Sequence, residues 1–391
     1  MQPTSSMPSR LKYIAHLDLD CFFVSVERIK DPSLNGKPVA VGGSPQGRGV
    51  VASASYEARK FGVRSAMPTG RALSLCPQLI VVRGRHGEYS KISDQLYHRM
   101  LEIAPIVERA SIDEMYMDFT GCEGLYHNDL PGFMRTIQKM VWDEFTLPCT
   151  IALASNTTVA KIAANTVKPN GVCWVPHGTE ADFLAPLPIG VIPGIGRKTE
   201  EVLQARGFRT VADLQAVSEE QLVDILGQHG SWIFAAAHGH GRDVIGGDED
   251  AKSISREETF AHDISDRTDL ERILHELTAD VCSRVRANGW KAGTITIKLR
   301  YSDFKTITHA ESITPTNDDV VIFRVVRGLL KDAYTRPMAI RLLGVRLTNF
   351  EEADQLGFDL FPTEKKKQEI LSVVDDLRKR FGDDVIHIGK V

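Results

Sequence analysis

Two short acidic segments lie inside apolar, strand-like stretches of this 391-residue chain. In LDLD at residues 17–20, Asp18 and Asp20 fall on one face of an ideal strand because they are two residues apart. In SIDE at residues 111–114, Asp113 and Glu114 stand next to apolar, β-prone residues. A buried carboxylate is costly unless a positive group accompanies it. Each segment therefore predicts either a cation site or a solvated strand end.

Three or four of these carboxylates would converge on one site if the two segments paired as neighbouring strands. No arginine nearby in the sequence is spaced to neutralise them all. Hard divalent cations would do so, and Mg²⁺ is typically held by few carboxylates together with substrate phosphates. Two such ions can clamp the attacking and leaving oxygens of a phosphoryl transfer. Either segment alone favours a solvated strand end, whereas the two together favour a metal site.

The length of the chain predicts several domains, and its net charge argues against a nucleic-acid partner. The chain is longer than a usual single domain, and its net charge of −4 lacks the basic excess typical of phosphate binding. Clustered basic residues or bound metals would remove that objection. The six cysteines show no zinc-site spacing, and no apolar run is long enough for a bilayer. We expect a soluble, cytoplasmic monomer that does not bind membranes.

Apolar periodicity predicts mixed strands and helices in the first part of the chain. Strands are expected at Tyr13–Leu19, in a hairpin around SIDE and in TIALASN. Helices are expected over 89–103, over 131–145 and in TVAKIAANTVK, which Pro169 ends. Short helices separated by glycines follow, and a Gly/Asp-rich stretch at 243–252 predicts a linker.

The segment 253–350 predicts a separate α+β unit with the order strand, helix, strand, strand, helix, strand. Its run TITIKLRYS alternates, so that Lys298 and Arg300 fall on one polar face. Residues 252–350 contain 16 Lys and Arg against 13 Asp and Glu, which partly answers the charge objection. A further amphipathic helix is expected over 364–381.

Four motifs in order carry a resemblance to a known family. They are DLDCFFVSVE at 18–27, YEARKFGV at 56–63, SIDE at 111–114 and AKIAANTVKPNG at 160–171. Together they resemble the Y-family of translesion DNA polymerases, specifically its DinB, or DNA polymerase IV, branch, over residues 11–350. The resemblance implies a template-directed, error-prone DNA polymerase that uses dNTP and primer-template DNA.

The family also implies a multidomain α+β fold shaped as a right hand. We expect a ferredoxin-like palm, small fingers, a helical thumb with a helix-hairpin-helix, and an α+β little-finger domain. The expected limits are 11–20 with 85–177 for the palm, 21–84 for the fingers, 178–242 for the thumb, 243–252 for the linker, 253–350 for the little finger and 351–391 for a C-terminal tail.

By resemblance, the catalytic residues are Asp18, Asp113 and Glu114. These carboxylates and the backbone carbonyl of Leu19 are expected to bind two Mg²⁺ ions. Strand geometry nominated Asp20 as a further ligand, whereas the family pattern makes it a supporting acid.

By the same resemblance, Phe23, Tyr56, Arg59 and Lys168 are expected to bind the nucleotide. Phe23 matches a steric gate that excludes a ribose 2′-hydroxyl, although a core role for Phe22 and Phe23 stays open. A surface salt bridge for Arg59 and a helix-terminal cation for Lys168 are the alternatives. Lys161 is equally compatible with a structural role and a DNA contact.

Two further segments are expected to contact DNA. IPGIGRKT at 192–199 resembles a helix-hairpin-helix hairpin, in which Gly194, Gly196 and Lys198 would approach a duplex phosphate. An ordinary glycine-rich turn is the alternative. Lys298 and Arg300 would follow the template backbone, unless their sheet face is simply solvated.

The tail contains a candidate peptide for the bacterial sliding clamp (beta), in which we expect contacts from Gln355, Leu356, Phe358, Leu360 and Phe361. Such a strip usually packs on its own domain instead. Nothing in the sequence resembles a proofreading exonuclease. Two rival functions are a non-catalytic accessory paralogue in damage tolerance and a nucleotide cyclase with a palm-like core. The cyclase would need neither the hairpin motif nor the 253–350 unit.

Overall fold

The computed structural model describes residues 11–247, 250–353, 370–371, 373–377 and 380. The chain divides into two compact units, residues 1–248 and 249–391. Among the helices described, none is long and apolar enough to cross a membrane. All six cysteines are free thiols, and all but Cys173 are buried.

The first unit begins with a strand and continues as mixed strands and helices. Its strands are β1 Ile14–Leu19, β2 Val39–Gly42, β3 Val51–Ala54, β4 Ile80–Val82, β5 Ile106–Arg109, β6 Glu114–Asp118, β7 Cys149–Ala154 and β8 Val172–Trp174. Its helices are α1 Phe22–Lys30, α2 Tyr56–Arg59, α3 Thr69–Leu75, α4 His86–Leu101, α5 Leu130–Phe145, α6 Thr157–Val167, α7 Glu180–Leu184, α8 Arg197–Gln204, α9 Val211–Gln215, α10 Glu219–Leu226 and α11 His229–Ala237.

A five-stranded sheet in the order β5-β6-β1-β7-β8 forms the centre of this unit. The central strand β1 is antiparallel to β6 and β7 and is buried along its whole length. On one face, Leu17, Leu19 and Met115 join a core with α1, α4 and α5. Because strand residues alternate, His16, Asp18 and Glu114 belong to the other face. On that face the sheet packs against α6, whose core continues into the helices α7–α11.

The secondary structure predicted around the acidic segments is confirmed. The strand at 13–19, the hairpin around SIDE and the helices at 89–103 and 131–145 are all present within a few residues of the expected limits. The short strands β4 and β8 were not predicted, because three residues carry too little periodicity.

A smaller three-stranded sheet, in the order β3-β2-β4, follows α1 in the chain. Ser55 caps α2 by accepting a hydrogen bond from the Ala58 N–H. Gly62 follows with a φ of +86°, a left-handed conformation that favours glycine and is typical of a helix end. The cap and the stop limit α2 to four residues that carry Tyr56 and Arg59.

The first residues of the predicted linker are packed on the large sheet. Ile245 is buried with Ile14 and Tyr116. The Gly246 N–H donates to Glu108 at 3.0 Å, and Arg242 forms an ion pair with the same carboxylate. A Gly/Asp-rich composition did not reveal this anchor, because Glu108 is far away in the sequence.

We expect Glu108→Gln to reduce the free energy of unfolding at pH 7 by about 0.5–1 kcal/mol, as usual for a partly exposed pair. The bond from Arg242 lowers the pKa of Glu108 below its ordinary value of 4.5. The charged pair therefore stabilises the fold above pH 4.5, and this contribution disappears as the pH falls through the lowered value. Urea unfolding at a series of pH values checks this.

The control is Glu102→Gln, which removes an exposed partner of Arg99. It should change the free energy of unfolding by less than about 0.5 kcal/mol. A deficit of Glu108→Gln that persists unchanged at low pH would contradict the electrostatic anchor.

The second unit is an antiparallel sheet with two helices on one face. Its elements are β9 Ser253–Ile264, α12 Arg267–Ala287, β10 Trp290–Tyr301, β11 Thr306–Thr316, α13 Asp319–Ala333 and β12 Ile340–Glu352. The strands lie in the order β11-β10-β12-β9, and α12 and α13 share their core. The predicted order of elements is confirmed. On β10, Ile295, Ile297, Leu299 and Tyr301 are buried in the core, on the face opposite Lys298 and Arg300.

Part of the predicted C-terminal helix packs on the second unit. The described residues between 370 and 380 are helical, and Leu371 and Val374 are buried. Asp375 accepts from Arg286 of α12, which also contacts Asp319. The candidate clamp peptide at 355–361 lies outside the described residues.

Candidate active site

The acids of the two segments meet because their strands are neighbours. Asp18 on β1 lies directly opposite Glu114 on β6. Asp113 precedes β6, and its carbonyl accepts from the Leu19 N–H at 2.9 Å. Ser111 donates to the Asp113 carboxylate at 2.6 Å and accepts from the N–H groups of Asp113 and Glu114. The turn thus holds both acids in fixed directions.

A cavity of about 210 Å³ brings together every residue expected to bind metal or nucleotide. Its lining includes Asp18, Leu19, Phe23, Tyr56, Arg59, Asp113, Glu114 and Lys168. These residues come from four separate stretches of chain. Their convergence shows that the motifs occupy one site.

Two lysines neutralise the paired carboxylates. Lys168, just after α6, contacts Asp18, and Lys161 within α6 contacts Glu114. The sequence showed only that no nearby arginine would serve. The contact of Lys161 with Glu114 places it at the carboxylate site, a position that its sequence context did not reveal.

Burial and these lysines act differently on the two acids. Burial raises the pKa of Asp18 to about 7, outweighing the charge of Lys168. Burial also disfavours charged Glu114, but the bond and charge of Lys161 prevail and lower the pKa of Glu114. The site thus presents paired carboxylate oxygens, and this donor set fits a hard divalent ion.

His16 is a buried neighbour of this pair that the sequence reasoning missed. Its Nε2 lies 4.0 Å from Glu114 Oε2, and ligand atoms of His16, Asp18 and Glu114 lie within 4.8 Å of one another. Burial lowers the pKa of His16 to about 3, so its imidazole is neutral at neutral pH. The spacing of two residues before Asp18 on a strand was the available signal.

Asp20 does not join Asp18, which corrects its nomination as a ligand from strand geometry: three of the four acids line the cavity. β1 ends at Leu19, and the chain turns at Cys21 with a φ of +48°. Strand alternation therefore no longer applies at Asp20. Its carboxylate instead accepts from the Tyr56 hydroxyl at 2.8 Å, the Thr150 hydroxyl at 2.9 Å and the Asn170 N–H at 2.7 Å.

Phe22 and Phe23 point in different directions at the start of α1. Phe22 is 2 % exposed and belongs to the core, whereas Phe23 is half-buried. The Phe23 ring stacks on Tyr89 with centroids 4.3 Å apart. Tyr89 donates to the buried carboxylate of Glu27 at 2.7 Å. Phe23 thus rests on a fixed support at the cavity wall.

The side chains of Tyr56 and Arg59 project from the same side of α2, as their spacing of three residues predicts. The Arg59 guanidinium lies 4.8 Å from the Tyr56 ring centroid, and its Nε donates to the Ala54 carbonyl at 3.1 Å. Burial, followed by the Asp20 charge, raises the pKa of Tyr56. The tyrosine therefore stays a neutral hydroxyl beside the cavity.

The predicted hairpin motif has a geometry that requires glycine. Gly194 has a φ of +92°, and a Cβ there would lie 3.1 Å from the His229 ring. α8 begins at Arg197 without a side-chain cap, and Lys198 is exposed in its first turn. Gly196 at its N-cap has open space around its Cβ position. A phosphate would meet unpaired N–H groups here.

Lys298 and Arg300, on the sheet of the second unit, form contacts within the protein that the sequence did not reveal. Lys298 pairs with Glu257 of β9 at 2.8 Å. Gly344 of β12 lies between these two residues in the sheet. Because glycine has no side chain, the Glu257 side chain can cross this position to reach Lys298. Arg300 donates to the Thr306 hydroxyl at 2.9 Å.

Comparison with known families supports this arrangement. Residues 17–165 match the impB/mucB/samB family, and residues 251–360 match the C-terminal domain of the same family. Residues 177–208 match the IMS family HHH motif. The matched regions contain the cavity lining except Lys168, the elements β9–β12 of the second unit and the glycine hairpin.

Two curated relatives extend over almost the whole chain. A protein of Dehalococcoides mccartyi named DNA polymerase IV is 37% identical over 97% of both chains. A protein of Opitutus terrae with the same name is 38% identical over 97% of both. A solved Y-family DNA polymerase chimera of Dbh and Dpo4 has a TM-score of 0.78 at 26% identity, covering 86% of this chain and 98% of that one.

These similarities establish the fold class that the motifs predicted. The fold is multidomain α+β, with palm, fingers, helical thumb and little finger. The family implies use of a divalent metal, and the carboxylate cluster that would hold it is present. The chain belongs to the DNA polymerase IV group of the Y-family translesion DNA polymerases.

Proposed function

We propose that this protein performs template-directed, error-prone DNA synthesis past damaged bases. A primer 3′-hydroxyl would attack the α-phosphate of a dNTP, and pyrophosphate would leave, with no proofreading exonuclease. The observation that carries this proposal is the convergence of Asp18, Asp113 and Glu114 on one cavity with the predicted nucleotide contacts.

Asp18, Asp113, Glu114 and the Leu19 carbonyl would hold two Mg²⁺ ions in this cavity. When bound, such ions lower the pKa of the attacking hydroxyl and offset the charge of the departing pyrophosphate. Because Lys168 and Lys161 already contact these acids, the carboxylates stay compensated before substrate enters. Lys168 would be free for a triphosphate once Asp18 has another cation.

Tyr56, Arg59 and Lys168 would bind the triphosphate. The planar guanidinium of Arg59 suits paired phosphate oxygens, and the lysine supplies a mobile point charge. Asp20 supports both elements, because it holds the Tyr56 hydroxyl and the backbone just after Lys168. These two contacts favour the supporting role that the resemblance implied for Asp20.

Phe23 would act as the steric gate. Its stacking on Tyr89, which is itself bonded to Glu27, would oppose rotation of the ring away from the sugar. A rigid ring can reject a 2′-hydroxyl, whereas a loose one would yield to it.

A primer-extension assay on a template with one abasic site tests the function. We expect the protein to add a nucleotide opposite the abasic site and to continue synthesis beyond it, with no shortening of the primer. Binding of primer-template without extension on any template would favour the accessory role. That role has no support from the relatives, which are named as polymerases.

We propose that the glycine hairpin binds duplex backbone through Gly194, Gly196 and Lys198. We expect Lys198→Ala to weaken duplex binding and to reduce the slope of log affinity against log salt by about 0.9, the value for one phosphate contact. Fluorescence anisotropy over a salt series measures this. The control is Lys139→Ala, an exposed lysine of α5 paired with Asp143, which should leave the slope unchanged. An unchanged slope for Lys198→Ala would contradict the hairpin contact.

We further propose that Lys298 and Arg300 contact the template backbone, and that the protein acts as a cytoplasmic monomer.

We also propose that the tail peptide binds the sliding clamp through Gln355, Leu356, Phe358, Leu360 and Phe361. Size-exclusion chromatography, alone and with a bacterial clamp, checks both the monomer and this contact. Co-elution that survives replacement of Leu360 and Phe361 by Ala would exclude the peptide.

A further inference from the structure

A phenylalanine occupies a glycine-like position at the tip of the β10–β11 hairpin. Residues 302–305 connect the strands, and the Phe304 N–H donates to the Tyr301 carbonyl at 3.0 Å. Phe304 has a φ of +67°. Tight hairpins normally place Gly at such a left-handed residue, because a Cβ is disfavoured there. The backbone therefore gives no reason for a bulky side chain at this position.

Packing within the protein covers only part of the Phe304 ring. Its side chain is 63 % exposed, among the most exposed large apolar residues described. The guanidinium of Arg341 lies over the ring, 4.5 Å from its centroid. An exposed aromatic in an unfavourable backbone conformation is typical of a functional position.

The turn beneath Phe304 is firmly held. Asp303 accepts from the Lys305 N–H at 3.0 Å and from Arg336 at 2.7 Å. Arg336 in turn covers the buried Tyr301 ring at 4.8 Å. The tip therefore presents Phe304 from a rigid base, so that little ordering is needed when a ligand binds.

The surroundings of the ring have the chemistry of a nucleotide site. Lys305 is exposed beside Phe304, and Arg341 covers one part of the ring. The nearby acid, Asp303, is already paired with Arg336. Aromatic rings next to basic groups bind single strands, because bases stack on the ring while cations meet the phosphates. Bases inside a duplex are already stacked on one another.

We propose that Phe304 and Arg341 form a stacking site for an unpaired base of single-stranded DNA. The site would hold template strand that has no complementary strand, without preference for base identity. This inference rests on DNA being the substrate of the proposed function. It adds a contact in the second unit that is independent of metal and dNTP.

The test is binding of the full chain to an oligo(dT) strand of about twelve nucleotides, measured by anisotropy without metal or dNTP. Phe304→Gly should weaken binding about 5- to 150-fold, the loss of one stacked base. Its affinity for a blunt duplex should not change. Its thermal unfolding midpoint should be no lower than that of the parent, because glycine accepts the positive φ. The control is Trp142→Ala, an exposed aromatic of α5, which should bind as the parent does.

A strand of the same length made entirely of abasic nucleotides separates stacking from phosphate attraction. Parent and Phe304→Gly should bind it equally. Equal binding of oligo(dT) by both proteins, or an equal loss on the abasic strand, would overturn the proposal. If Phe304→Gly fails to fold, Phe304→Trp decides: oligo(dT) should quench its emission beyond any change in the parent, and absence of that quenching would also overturn the site. Failure of the parent to extend primers would refute the polymerase function while leaving this binding result to stand separately.

Discussion

We expect the Asp18→Asn variant to incorporate nucleotides at least about a thousandfold more slowly than the parent, because several kcal/mol of charge stabilisation is lost with a metal ligand. Single-turnover incorporation on primer-template DNA measures the rate. Duplex affinity should stay within about threefold of the parent value, since the substitution leaves the proposed helix-hairpin-helix contacts unchanged. Asp118→Asn is the matched control, because it alters another buried aspartate of the same sheet that bonds to the Thr120 N–H. It should incorporate nucleotides at close to the parental rate.

The same substitution should not destabilise the metal-free fold. Burial raises the pKa of Asp18 from 3.8 to about 7. Between these values the folded chain binds more protons than the unfolded chain, so the free energy of unfolding falls as the pH rises. Asparagine does not ionise, so the variant does not lose this part of the free energy of unfolding. We therefore expect the thermal unfolding midpoint of the variant at pH 8 to be no lower than that of the parent. A folded variant with parental incorporation would contradict the role of Asp18.

Phe23→Ala should lower discrimination against ribonucleotides by about 10- to 200-fold, the range for a change in one pocket contact. The comparison is kcat/KM for a ribonucleotide against the matching deoxynucleotide. Loss of the ring would open the space that a 2′-hydroxyl would need. Incorporation of the deoxynucleotide should change less, because its sugar does not need that space.

The matched control for the gate is Phe133→Ala. Phe133 is also half-buried and stacked on a tyrosine, Tyr126, with centroids 3.7 Å apart. It lies outside the cavity lining. Its replacement should destabilise the first unit without altering sugar selection. Unchanged discrimination in Phe23→Ala would refute the gate.

Local patterns predicted much of the fold because each element has its own periodic signal. The strand holding Asp18 and the hairpin holding Glu114 both have such a signal, and their pairing placed the two acids in register. The second unit was predicted in full order because its long strands alternate regularly. Three-residue strands such as β8 carry no comparable pattern.

The sequence did not reveal which basic residues form ion pairs with the acids. Lys168 is 150 residues from Asp18, and Lys161 is 47 residues from Glu114. Only the packing of α6 on the sheet brings these lysines to the cavity. Asp20 failed as a ligand for a local reason, since the strand ends one residue earlier and its alternation ends there. His16 had the required spacing on β1, but it was not predicted to belong to the site.

The most direct test of the central claim is single-nucleotide incorporation by the parent protein, with each dNTP offered against each templating base. The account predicts addition chiefly of the complementary nucleotide, dependent on Mg²⁺ and abolished when a chelator removes it. Incorporation that ignores the template, or that persists after chelation, would contradict a carboxylate-bound metal centre in a template-directed polymerase. Absence of any incorporation by the folded, DNA-binding protein would contradict the catalytic role itself.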